Sequence, residues 1–95
     1  LTFGHAGDGN IHVNIMLDRS DRAEEARGEA ARARLFSFVV GLGGTLSGEH
    51  GIGITKAQFL PLELSPTTLS VMRRLKNLFD PNHILNPGKI FPDPV

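Results

Sequence analysis

The stretch LTFGHAGDGNIHVNIML (residues 1–17) decides the fold of this chain, because it places alternating apolar and polar residues after a glycine-rich turn. Residues 10–17 have the period-two pattern of a strand. One face of this strand is predicted to enter the core and the other to present polar groups. The apolar face carries Ile11, Val13 and Ile15, and the polar face carries His12 and Asn14.

A second strand is predicted before the turn, over residues 1–6. The turn itself is expected at residues 7–9, where Asp-Gly is a strong short-turn signal. His5 and His12 are separated by an odd number of residues and would face opposite ways on one unbroken strand. Only an intervening turn or bulge brings them to the same face.

A long amphipathic helix is predicted from residue 20 or 21 to about Leu42. Asp21 and Glu24 resemble a capping pair at its start, and Gly43 with Gly44 is expected to end it. Apolar or small residues recur at three and four along one side: Ala23, Ala26, Ala30, Ala33, Phe36 and Val40. The charged residues are assigned to a solvated face: Arg22, Glu25, Arg27, Glu29, Arg32 and Arg34. Residues 45–47 are then predicted to form a short strand.

The second half of the chain is predicted to be helical and then extended. A short helix interrupted near Pro61 is expected over residues 54–64, and Ser65-Pro66 is a typical helix start. This last helix should end at Asp80-Pro81, before a proline-rich extended arm. Its apolar stripe consists of Leu69, Met72, Leu75 and Phe79. The predicted fold class is α+β, with a small antiparallel or mixed sheet and packed helices.

Composition limits the range of functions. Ninety-five residues make one small domain, and equal numbers of basic and acidic residues, 10 of each, favour no nucleic-acid partner. Without cysteine, metal ligands are limited to nitrogen and oxygen donors. No apolar run is long enough for a transmembrane helix. The chain begins at Leu1 inside a motif, so we expect it to be part of a longer protein.

Two glycine-rich stretches, residues 4–12 and 48–53, hold three of the four histidines. If His5, His12 and Glu49 converge, they form a set of two imidazoles and one carboxylate with positions left for a substrate. A 2-hydroxy acid could chelate such a metal through its carboxylate and hydroxyl oxygens. The pattern therefore indicates a metal or acid–base site.

Two further residues complete the predicted site. His50 follows Glu49 and is the candidate acceptor of a hydroxyl proton, because imidazole titrates near neutral pH. Asn14 shares a strand face with His12 and is predicted to support a ligand or the substrate.

Each of these residue types also has a plainer interpretation. A histidine beside glycine is commonly a turn or core residue, and Asp8 suits a turn. His83 is predicted to be a surface residue of the tail, and Lys56 and Lys89 are predicted to be solvated cations rather than anion ligands. Glycines in residues 48–53 depart from the dinucleotide-binding spacing, so no phosphate site is predicted there.

Three motifs resemble the carboxy-terminal end of FAD-linked 2-hydroxy-acid oxidases and dehydrogenases. They are FGHAGDGNIH (residues 3–12), GTLSGEHGIG (residues 44–53) and DPNHILNPGKIF (residues 80–91). The likeness is strongest to the FAD-linked subunits of glycolate oxidases, with D-lactate and D-2-hydroxyglutarate dehydrogenases as relatives. The resemblance covers nearly the whole chain, and the three motifs occur in the order expected for this family.

The resemblance implies a flavoprotein whose amino-terminal domain holds most of the FAD. Residues 1–64 would then be part of a ferredoxin-like cap over the substrate and metal. Residues 65–95 would be a helix and tail that pack on the flavin domain. On this interpretation the chain alone is inactive, and the full-length enzyme oxidises a small 2-hydroxy acid, of the glycolate or D-lactate type, to the 2-oxo acid.

The resemblance also implies roles for particular residues. His5, His12 and Glu49 correspond to the ligands of a divalent metal, commonly zinc, and His50 to the base. Asn86 and Gly51 are expected beside the flavin.

Expected partners are the flavin domain, sister subunits of an oxidase complex, or further copies of this chain. The expected location is the cytoplasm, or the membrane periphery through partner subunits. The rival interpretation is a non-catalytic α+β module that self-associates and whose histidines bind adventitious metal.

Overall fold

The computed structural model of the chain describes residues 1–91, so the last four residues of the predicted arm lie outside the described part. A hairpin is followed by helices that pack on one another. The elements are β1 (Thr2–His5), β2 (Asn10–Val13), α1 (Arg22–Gly41), a 3-10 turn (Ala57–Phe59), α2 (Leu60–Glu63) and α3 (Pro66–Phe79). This arrangement confirms the α+β class, with a small antiparallel sheet and packed helices.

The hairpin brings the two histidines of the first motif to one face. Phe3 pairs with His12 and His5 pairs with Asn10 in the antiparallel register. The turn is closed by a hydrogen bond of 3.1 Å from the Asp8 amide to the His5 carbonyl. Because paired residues share a face and successive residues alternate, His5 and His12 lie on the same side of the sheet. The predicted turn is therefore confirmed, although β2 is shorter than the predicted strand.

The prediction of which hairpin face is buried was wrong. The apolar face is largely exposed, at Ile11 (67%), Val13 (41%) and Ile15 (39%). His12 and Asn14, on the polar face, are half-buried. The reason is tertiary: the polar face lies against the loop of the second glycine motif, where Asn10 closely approaches Gly48. Alternation identifies two faces, but it does not say which of them the rest of the chain will cover.

Helix α1 begins as the sequence predicts, with one difference at its cap. The Asp21 carboxylate accepts hydrogen bonds from the Ala23 amide (3.0 Å) and the Glu24 amide (3.3 Å). The Glu24 carboxylate does not accept a hydrogen bond from the Asp21 amide, as the predicted capping pair would require. It accepts from the Asp18 amide at 3.1 Å instead, which fixes the chain just before the helix.

Helix α1 ends in a Schellman motif. The Gly44 amide donates to the Val39 carbonyl (2.9 Å) and the Gly43 amide to the Val40 carbonyl (3.0 Å), with Gly43 at a φ of +83°. The glycine stop is thus confirmed. The strand predicted at residues 45–47 was wrong, because this segment joins no ladder and its backbone bonds to side chains instead.

The core forms where the second half of α1 meets α2, α3 and the intervening loop. Its buried members are Leu46, Phe59, Leu60 and Leu69, with Ala33, Phe36, Val40, Ile52, Leu64 and Met72 packed around them. The first part of the α1 stripe was predicted to be covered, yet Ala23, Ala26 and Ala30 are exposed. Arg32 also departs from its predicted solvated position, since its guanidinium lies 5.2 Å from the Phe59 ring centroid. Helices within residues 1–91 lack the length and apolarity that a membrane crossing requires.

Helix α3 confirms the predicted start and stop. The Ser65 hydroxyl accepts from the Thr68 amide at 3.1 Å, and Pro66 occupies the first turn. The shorter helix is confirmed in part: residues 54–64 form a 3-10 turn and one α-turn. Pro61 lies at the start of α2 rather than interrupting it.

The tail folds back instead of extending. Asp80 is 6% exposed and accepts hydrogen bonds from the Lys76 ammonium (2.5 Å) and from the Ile84 and Leu85 amides (3.0 Å each). The Lys76 ammonium also donates to the Leu85 carbonyl at 2.6 Å. The hydrogen bond from Lys76 holds the pKa of Asp80 below its ordinary value. One carboxylate therefore ties the end of α3 to the proline-rich segment.

Replacing Gly4 by alanine should destabilise the hairpin. A Cβ atom there would collide with the backbone oxygen of Asn10, which cannot move without breaking the register. We expect a loss of about 1–3 kcal/mol in the free energy of unfolding, measured by denaturant titration. The matched control is Gly7→Ala, where a Cβ meets nothing within 4 Å. Equal effects of the two substitutions would contradict the register.

Replacing Asp80 by asparagine should lower the thermal midpoint at neutral pH. The pKa of Asp80 is lower in the folded state than its ordinary value of about 3.9, so its stabilisation is complete above that value and is lost as the pH falls. The difference in midpoint between wild type and variant should therefore shrink below about pH 4. Calorimetry at several pH values measures this, and Lys76→Met should reproduce the loss at neutral pH. A pH-independent difference would contradict the assignment.

Candidate functional site

The second glycine motif meets the hairpin through a pair of histidines. The His12 and His50 rings have centroids 5.6 Å apart and an interplanar angle of 74°, an edge-to-face arrangement. The loop can approach the hairpin closely because Gly48 has no Cβ at the place where the Asn10 side chain packs. Residues far apart in the sequence thus form one polar surface, as the glycine-rich motifs indicated.

Two neighbours fix the orientation of the His12 ring. Its Nε2 atom lies 3.0 Å from the Asn14 Oδ1 atom, and the Phe3 ring stacks on it with centroids 4.8 Å apart and an interplanar angle of 14°. Because an amide oxygen can only accept, Nε2 of His12 is the donor of this hydrogen bond. Asn14, predicted to meet the substrate, here orients an imidazole. Phe3 was missed as a site residue, although its position opposite His12 follows from the hairpin register.

Glu49 and His50 lie on the open side of the loop. The His50 Nε2 atom is 3.7 Å from the Glu49 Oε1 atom, and the two side chains are 68% and 54% exposed, respectively. An exposed imidazole beside a carboxylate can accept a proton from a bound molecule and then pair with that carboxylate. The exposure also means that water reaches both groups.

The predicted metal ligands are not assembled as a set. No three histidine, aspartate or glutamate side chains within residues 1–91 lie close enough together to hold a metal ion. His5 shares the hairpin face of His12 but sits at the exposed end beside the turn. The described residues therefore do not fit a three-ligand centre built from His5, His12 and Glu49.

The loop that carries Glu49 and His50 is closed on itself. The Gly51 amide donates to the Ser47 hydroxyl at 2.7 Å, so Glu49 and His50 lie within a five-residue clasp that runs from Ser47 to Gly51. Gly51 adopts a φ of +78° and Gly53 a φ of +55°, which other residues adopt only with strain. A Cβ at Gly51 would meet nothing within 4 Å, so that side of the loop is open.

The tail joins this loop at the third motif. The Ile90 amide donates to the Gly53 carbonyl at 2.7 Å, and Ile90 has a φ of +73°, a costly conformation for a β-branched residue. Asn86 (φ +44°) is exposed in the preceding turn. Asn86 and Gly51, the two residues expected beside the flavin, are therefore both exposed, and their contact with FAD stays a prediction.

A shallow groove of about 470 Å³ lies between the loop, α2 and α3. Ser47, Glu49 and Glu63 supply polar groups, whereas Ile52, Met72 and Ile90 supply apolar surface. No pattern in the sequence indicates that Glu63 reaches this region, because its position depends on how α2 packs against the loop.

Comparison with known proteins shows the family of this chain. Residues 1–90 match the family described as FAD linked oxidases, C-terminal domain. The chain belongs to this family. The resemblance seen in the three motifs is therefore confirmed.

Several curated relatives match over nearly the whole chain. It is 48% identical over 90 residues to the glycolate oxidase subunit GlcD of Bacillus subtilis, covering 95% of this chain and 19% of that protein. It is 43% identical to D-2-hydroxyglutarate dehydrogenase of Stutzerimonas stutzeri (94% and 20% covered) and 46% identical to the mitochondrial D-lactate dehydrogenase [cytochrome] of Arabidopsis thaliana (96% and 16% covered). The chain spans about a fifth of the length of these relatives.

The contact between Gly48 and Asn10 should be measurable as an energetic coupling. Gly48→Ala places a Cβ against the Asn10 side-chain amide, which must rotate away, and should cost about 1 kcal/mol of stability. In an Asn10→Ala background the same substitution should cost about 1 kcal/mol less, because the obstructing group is gone. Unfolding titrations of the four proteins give the coupling. Strictly additive losses would mean that the loop does not rest on the hairpin.

Proposed function

We propose that the protein containing this chain oxidises a small 2-hydroxy acid, of the glycolate or D-lactate type, to the 2-oxo acid. The observation that carries the proposal is the exposed His50 imidazole, held beside His12 and Glu49 in a chain of the FAD-linked oxidase family. Relatives named as a glycolate oxidase subunit and as D-lactate dehydrogenases support the substrate class.

In this proposal His50 accepts the proton of the substrate hydroxyl. A neutral imidazole is a suitable base near neutral pH, and the Glu49 carboxylate, 3.7 Å from Nε2, pairs with the imidazolium that forms. His12 is held by Asn14 and Phe3, so its edge gives His50 a fixed neighbour. The segment thus supplies positioning and proton transfer.

The bound FAD supplies the redox chemistry, as acceptor of the hydride from the substrate carbon. Most of its binding surface belongs to an amino-terminal domain in this proposal. From this chain, Asn86 and Gly51 are the residues that would contact it. The bond between Ile90 and Gly53 supports this assignment, because it joins the turn of Asn86 to the loop of Gly51.

A divalent metal such as zinc stays a prediction of the resemblance. It requires His5 to join His12 and Glu49, and residues 1–91 do not bring three such side chains together. No proton transfer in the proposed reaction is assigned to the metal.

The proposed partner of this segment is the flavin domain of the same protein, docked on α3 and the tail. Helix α3 supports this with an exposed apolar stripe at spacings of four, three and one residues. Its members are Val71 (50%), Leu75 (52%), Leu78 (71%) and Phe79 (79%). The same stripe favours a second candidate, self-association of a non-catalytic module. Sister subunits and a cytoplasmic or membrane-peripheral location remain part of the proposal.

Replacing His50 by glutamine in the full-length protein should reduce kcat about 10²- to 10⁴-fold, because the general base is lost. Flavin absorbance and the thermal midpoint should be unchanged, since the side chain is exposed. Steady-state turnover with glycolate and D-lactate measures the effect.

The control is Arg27→Gln. Arg27 is exposed in the first half of α1, outside the loop and the proposed docking surface. Turnover of this variant should be unaffected. If the His50 variant turned over normally while the protein formed oligomers through α3, the self-association candidate would replace the enzymatic one.

A further inference from the structure

The loop that carries Glu49 and His50 depends on side chains from outside it. Residues 44–53 contain no helix or strand, so no ladder satisfies their peptide groups. Leu46 is 4% exposed and belongs to the buried core, which takes its backbone N–H and C=O away from water as well. Buried peptide groups require partners, and here both partners are charged side chains.

The backbone N–H and the backbone C=O of Leu46 each have one side-chain partner. The Glu63 Oε2 atom accepts from the Leu46 amide at 3.2 Å, and the Lys56 ammonium donates to the Leu46 carbonyl at 2.8 Å. Lys56 is half-buried, and its Nζ atom lies 5.8 Å from the Phe36 ring centroid. Lys56, expected to be a solvated cation, is therefore engaged with the backbone of the site loop.

The hydrogen bonds to Leu46 control the position of His50, because the segment from Leu46 to His50 is short and lies in a turn that is closed by a hydrogen bond. Ser47 follows Leu46 directly and its hydroxyl accepts from the Gly51 amide, which encloses Glu49 and His50. A shift of Leu46 therefore moves the clasp and changes the distance from His50 to His12, now 5.6 Å between ring centroids.

We propose that Lys56 and Glu63 are positioning residues for the reaction, holding the loop so that His50 meets the substrate. This inference rests on the proposed function, since it gives the loop its catalytic purpose. Neither residue acts on the substrate. Their effect is on kcat through the placement of His50, because displacements on the order of 1 Å cost up to about a hundredfold in rate.

The test uses the full-length protein with Lys56→Met, Lys56→Arg and Glu63→Met. Two quantities are measured: hydrogen exchange of the amides in residues 44–53, and kcat and KM with glycolate or D-lactate. We expect Lys56→Met and Glu63→Met to speed exchange in this loop and to lower kcat, each by at least about tenfold, while KM changes less than about threefold. Lys56→Arg keeps a donor and should restore both quantities to within about threefold.

Arg27→Met is the matched control, because Arg27 is an exposed cation in the first half of α1, outside the loop and the proposed docking surface. It should change neither quantity. The proposal is overturned if Lys56→Met leaves loop exchange and kcat unchanged, or if arginine fails to rescue them. If Lys56→Met does not fold, Glu63→Met decides. Failure of both to fold would make the contact an element of the fold and would also overturn the proposal.

The His50→Gln protein separates this inference from the proposed function. If that variant keeps full turnover, the proposed role of His50 fails, whatever Lys56 does. If it loses turnover while the Lys56 and Glu63 variants keep both loop protection and kcat, only the positioning inference fails.

Discussion

The arrangement depends on one close approach, that of the polar hairpin face to the glycine loop. Asn10 packs where Gly48 has no side chain, and the His12 and His50 rings then meet edge to face. This contact explains why the hairpin turns its polar side inward and leaves Ile11 and Val13 exposed. The two glycine motifs become one surface through it.

Side chains, rather than a ladder of strands, hold the loop that carries Glu49 and His50. Its buried residue, Leu46, has its backbone satisfied by Glu63 and Lys56 rather than by a neighbouring strand. Side-chain partners allow the following residues to leave the core at once, so that Glu49 and His50 reach solvent within three or four positions. A strand ladder would have continued the chain along a sheet edge instead.

Much of the exposed apolar surface lies on the sides away from this site. The outer hairpin face and the α3 stripe are both uncovered, and the chain corresponds to about a fifth of the length of its relatives. Large uncovered patches mark interaction surfaces. In the proposed function, these patches are the surfaces on which other parts of the same protein would dock.

The sequence by itself determined what depends on nearby residues. The caps at Asp21 and Ser65, the glycine stop after α1 and the hairpin turn follow from local patterns, because each involves residues only a few positions apart. The family follows from three motifs in a fixed order along the chain, which need no tertiary structure to be compared. Tertiary structure alone decided which hairpin face is covered, that residues 45–47 are not a strand, and that Lys56 reaches Leu46. These three features depend on how distant segments pack. A period-two pattern or a lysine is the same in the sequence whether or not another segment packs against it.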